Sequence, residues 1–126
     1  MPEHGDAPGK GFFNVLRLAS ATRYTWRGFR HALAHDTSFR QEFVIAAVLS
    51  PVGVWLGDSG VERALLLMPL LLVLLVELLN GALETAIDRI GAEQNELSGR
   101  AKDLASAAVF VALVNVPIVW GLVLLG

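Results

Sequence analysis

Cysteine is absent from the 126-residue chain, which excludes disulfides and thiolate metal sites. Charge is scarce. Asp, Glu, Lys and Arg make up 17% of the residues, and the net charge of −2 offers nothing to a polyanion, so no nucleic-acid partner is expected. The common nucleotide-binding signatures are also missing. No GxxxxGK[ST] loop and no strand-borne GxGxxG occurs, and neither does the His-Arg-Asp or Asp-Phe-Gly signature of protein kinases. The N-terminal region lacks the clean apolar stretch of a secretory signal. What the chain has in excess is hydrophobic residues. They form 54% of the total, too many for an ordinary soluble domain of this size.

These residues fall into three runs, expected to span a membrane at about 39–57, 61–90 and 101–125, with Pro51, Pro69 and Pro117 inside them. Residues 1–11, rich in Gly, Pro and charge, read as a disordered terminus, and 12–126 as a single membrane domain. Residues 12–35 read as an amphipathic surface helix. Arg23, Arg27 and Arg30 share one face, and Trp26, Phe29 and Leu33 occupy the neighbouring sector, which suits the membrane interface. Gly57-Asp58-Ser59-Gly60 is a turn. The polar stretch 91–100, GAEQNELSGR, reads as the second connection, with Ser98 placed to cap the next helix. Trp26, Trp55 and Trp120 read as interface anchors. The expected fold class is all-α and integral to the membrane: three transmembrane helices plus an N-terminal surface helix.

Charge sets the orientation. Lys10, Arg17, Arg23, Arg27, Arg30 and Arg40 precede or open the first run, and Arg89, Arg100 and Lys102 lie between the second and third. The first connection carries Arg63 alone. This bias predicts that the N-terminus and second connection are cytoplasmic.

The chain is organised around residues 64–88, ALLLMPLLLVLLVELLNGALETAID. This apolar run admits Glu77, Asn80, Glu84 and Asp88, which fall within an arc of roughly 80° on a helix. One acidic residue at the centre of a membrane helix costs on the order of 3 kcal/mol, and each Leu returns about 0.5 kcal/mol. The eleven Leu of the segment therefore offset Glu77 and Glu84 but leave little surplus. Intramembrane carboxylates face a bundle interior or a wet cavity and mark function by default. The duller alternative is a buried polar contact that fixes helix register. The expected orientation brings Arg40, Glu42, Glu84, Asp88, Lys102 and Asp103 to one depth at the cytoplasmic leaflet. Glu77 lies deeper, about 10 Å along the helix from Glu84. Carboxylates rather than His or Cys favour a hard cation such as Mg²⁺, and a neighbouring Lys suits phosphate oxygens. A Glu withdrawn from water suits a general base. These parts fit phosphoryl transfer from a soluble donor to an alcohol in the bilayer.

VELLNGALETAIDRIG (76–91) followed by ELSGRAKDLASAA (96–108) closely resembles the prokaryotic diacylglycerol kinase family, and FRQE (39–42) and the neighbourhood of Tyr24, Trp26 and Gly28 agree with it. The resemblance implies a homotrimer in the bacterial inner membrane, with its active site cytoplasmic, that uses ATP and Mg²⁺ to convert diacylglycerol to phosphatidic acid. It implies Glu77 as general base and Asn80 as the side chain that holds the reacting groups beside it. It implies Glu84 as a ligand of the Mg²⁺ that bridges the ATP phosphates, and Lys102 and Asp103 at the nucleotide. Glu42 supports the site from the first span, and Arg17 and Tyr24 reach ATP from the surface helix. Asp36 falls where members carry a second metal-binding Glu, with a side chain one methylene shorter. Gln94-Asn95 departs from the Tyr-His often found before ELSGRAKD. Asp88 either pairs with Arg89 or Arg100 or touches ATP.

Other readings stay open on the residues alone. Glu84 and Asp88 also suit a solvated helix end, Arg40 and Glu42 an interfacial anchor pair, and Lys102 a charge snorkelling from a span end. An undecaprenol kinase of the same family is the nearest rival function. A small proton- or ion-conducting subunit built on a buried carboxylate is the rival from another class.

Overall fold

The computed structural model describes residues 15–91 and 96–126. The expected disordered terminus, residues 12–14 of the expected surface helix, and Gln94-Asn95 lie outside the described residues. The described chain is helical: α1 (Val15–His35), α2 (Thr37–Leu56), α3 (Gly60–Ile90) and α4 (Glu96–Leu125). Three of these helices, α2, α3 and α4, are long and apolar enough to cross a membrane. The chain forms two compact units, divided between His31 and Ala32.

In the first unit, α1 is exposed along nearly its whole length, with Trp26 64% and Tyr24 63% accessible. The Arg27 guanidinium lies over the Tyr24 ring, 5.9 Å from its centroid.

In the second unit, α3 is the central helix and packs on both α2 and α4. Its 31 residues extend about 46 Å at 1.5 Å per residue, against a hydrocarbon core of about 30 Å. α3 is therefore longer than such a core is thick, and Glu84 and Asp88 lie in its last turns. Its start is set by Ser59, whose hydroxyl accepts the Glu62 N–H at 3.1 Å, while the Glu62 carboxylate accepts the Asp58 N–H at 2.9 Å. Its end is set by Gly91, which turns left-handed at φ 102° and donates to the Ile87 carbonyl. The α2–α3 turn is tight. A Cβ on Gly57 would meet the Arg63 backbone N at 3.0 Å, and the Arg63 side chain donates to the Val54 carbonyl.

One expectation is corrected. The third spanning helix begins at Glu96, so Ser98 is buried inside α4 and is not its cap. The polarity of ELSGR reflects helix-compatible residues; Glu96 sits in the favoured first turn and reaches Arg100 one turn on, at 3.7 Å. Trp120 also bonds between helices. Its indole N–H donates to the Leu66 carbonyl at 2.9 Å, and its ring lies 3.4 Å from where a Gly53 Cβ would stand. This side chain ties all three spans together.

Candidate active site

The buried face of α3 runs Leu66, Leu70, Val73, Glu77, Ile87. These positions follow the alternating three- and four-residue steps of a packed helix. Glu77 thus occupies a core position, at 3% exposure. Asp36, Glu42 and Glu84 stand close enough for their charges to act on it. No hydrogen-bond donor among the described residues reaches the Glu77 carboxylate. Buried polar groups are ordinarily satisfied, so this one has the character of a group awaiting a ligand.

The other residues divide by helix. Asn80 is half-buried one turn beyond Glu77, and Glu84, two turns beyond, shares its face but is exposed. Asp88 is exposed near the end of α3. Asp36 forms the one-residue break between α1 and α2. Its backbone is extended, and its Oδ1 accepts the Phe39 N–H at 3.1 Å, capping α2. Its Oδ2 lies 3.6 Å from where a Cβ on Gly81 would stand, on the same α3 face as Glu77 and Glu84. Composition gave no signal for Gly81, because its contribution is space.

Arg40 holds the chain at a corner. Its guanidinium donates to the Leu33 and Ala34 carbonyls and to the Thr37 hydroxyl, and so closes the corner where α1 ends and α2 begins. Glu42 is half-buried and lines an apolar groove of about 190 Å³ between α2, α3 and α4, with Ile45, Ala46, Leu70, Val73 and Leu113 among its walls. On α4, Lys102 is half-buried and Asp103 exposed. Arg17 and Tyr24 belong to the other unit.

Among the described residues, no three acidic or His side chains converge into a complete metal shell. Asp36 and Glu84 offer carboxylate oxygens, the chemistry that suits a hard, oxygen-bound divalent cation sharing its shell with substrate phosphates.

The prokaryotic diacylglycerol kinase family matches residues 23–124. The chain belongs to this family. It is by that membership a lipid kinase, and with three apolar helices a multi-pass membrane protein. Among similar proteins, a diacylglycerol kinase of Haemophilus influenzae is 48% identical over 107 residues, covering 85% of this chain and 91% of the relative. One of Escherichia coli is 43% identical over 114 residues, covering 90% and 91%. One of Pseudomonas aeruginosa is 43% identical over 120 residues, covering 95% and 98%.

Proposed function

We propose that the protein transfers the γ-phosphoryl group of ATP to the free hydroxyl of diacylglycerol, giving phosphatidic acid, at the cytoplasmic face of the bacterial inner membrane. The observation that carries this reading is the Glu77 carboxylate, 3% exposed and with no hydrogen-bond donor among the described residues. A register-fixing polar group in a membrane helix bonds to a neighbouring helix. One left open can accept a proton from a substrate.

Glu77 takes the proton of the lipid hydroxyl. The hydroxyl oxygen bonds to the γ-phosphorus as the bond from that phosphorus to the β–γ bridging oxygen breaks, and ADP leaves. Asn80 holds the reacting groups beside Glu77. Glu84 and Asp36 hold Mg²⁺, which when bound neutralises charge on the phosphate oxygens. Lys102 counters phosphate charge, Asp103 and Asp88 contact the nucleotide, and Glu42 supports the site from α2. Arg17 and Tyr24 are assigned to nucleotide binding on the family pattern. The apolar groove beside Glu42 suits an acyl chain. The face that α1 presents, with Trp26 and Phe29 beside Arg23, Arg27 and Arg30, suits the membrane surface. The working form is a homotrimer, in which neighbouring copies cover apolar residues that a single chain leaves exposed on α4, such as Phe110 and Val111.

The test is transfer of label from γ-labelled ATP to diacylglycerol and, side by side, to undecaprenol, by protein purified in mild detergent. Mg²⁺-dependent phosphorylation of diacylglycerol is expected. Labelling of undecaprenol alone would overturn the substrate assignment, and no ATP turnover with either lipid would overturn the activity.

A further inference from the structure

We infer that Gly81 is a positioning residue whose bare backbone admits the Asp36 carboxylate to the acidic face of α3. The inference rests on the metal role proposed for Asp36. Asp36 does two things at once. Its Oδ1 accepts the Phe39 backbone N–H, and Phe39 is itself fully buried, so the donor sits on a residue anchored in the core. Its Oδ2 is thereby turned toward α3 and stands 3.6 Å from the Cβ position of Gly81. Gly81 lies four residues after Glu77 and three before Glu84, on the face both share.

A single added carbon fits there at ordinary contact distance. A β-branched side chain carries two further heavy atoms on that carbon in a stiff χ1 setting, and Asp36 has no slack to retreat because it is short and tethered by its cap. Gly81 touches neither phosphate nor lipid in this account; it acts through Asp36.

The test is a double-mutant cycle on the full-length protein in detergent. Mn²⁺ binding is read by electron paramagnetic resonance with a non-hydrolysable ATP analogue present. Asp36→Asn keeps a capping oxygen, since Asn caps helices as well as Asp, but removes the charge offered to the cation. Gly81→Val is expected to weaken Mn²⁺ binding about tenfold, the range for residues that orient a metal ligand, and Gly81→Ala to leave it within about twofold. In the Asp36→Asn background, Gly81→Val is expected to add no further loss. Gly81→Thr serves as a second β-branched variant should the valine protein fail to fold. Wild-type affinity in the β-branched variant, or an equal loss in both backgrounds, overturns the inference. A cycle that shows the coupling in a protein that phosphorylates no lipid supports Gly81 and overturns the activity proposed above.

Discussion

The two ends of the three-span bundle use their polar groups differently. Near the α2–α3 turn, polar side chains pair with backbone groups: the Trp120 indole with the Leu66 carbonyl, Ser59 and Glu62 with backbone N–H groups, the Arg63 side chain with the Val54 carbonyl. Gly53 and Gly57 let these contacts close. Near the α1–α2 corner, Asp36, Glu42, Glu77 and Glu84 bring like charges together, and Asp36 alone of the four accepts a backbone N–H there. Like charges in a low-dielectric medium repel strongly. The first end uses polarity to hold helices in place. The second does so at Arg40, which closes the α1–α2 corner, but leaves the buried Glu77 carboxylate without a donor among the described residues.

Substitutions at each end should therefore fail differently. After Glu77 itself, the largest effect is expected from Glu84→Gln: turnover falls about a hundredfold at limiting Mg²⁺ and recovers in part when Mg²⁺ is raised. A Mg²⁺ titration of initial rates checks this, and an unchanged Mg²⁺ dependence would break the assignment. At the other end, Trp120→Ala should cost about 2 kcal/mol of stability through lost packing and an interhelical hydrogen bond. Thermal unfolding in detergent reads that loss, with specific activity of the surviving fraction preserved. Gly57→Ala places a Cβ 2.7 Å from the Arg63 Cγ and should cost about 1.5 kcal/mol. Ser59→Ala should cost about 1 kcal/mol, the usual value of a lost N-cap, again without a change in the Mg²⁺ requirement.

Much of the architecture was legible because apolar run length and Pro- and Gly-marked turns are local signals. The three apolar helices and the absence of strands among the described residues follow from them. The start of α4 was not legible, because a polar run such as ELSGR looks the same in a connection and in an exposed first helical turn. The interhelical role of Trp120 was hidden for a related reason. Tryptophan suits both the membrane interface and an interhelical hydrogen bond, and only the position of Leu66, 54 residues away, reveals the second. The acidic pattern on α3 was visible as a stripe, but its continuity with the apolar face was not, since that depends on which side meets α2 and α4. Gly81 and the second oxygen of Asp36 carry no sequence signal at all, because their meaning lies in a distance between helices.

The most direct test is the rate of phosphoryl transfer to diacylglycerol by Glu77→Gln at saturating ATP, measured beside its thermal unfolding. The substitution keeps size and removes only the proton acceptor. The expected result is a rate about a thousandfold below wild type, with nucleotide binding retained and thermal stability equal or higher. A variant that unfolds at lower temperature while still phosphorylating lipid near the wild-type rate would show that Glu77 holds helices together and takes no proton.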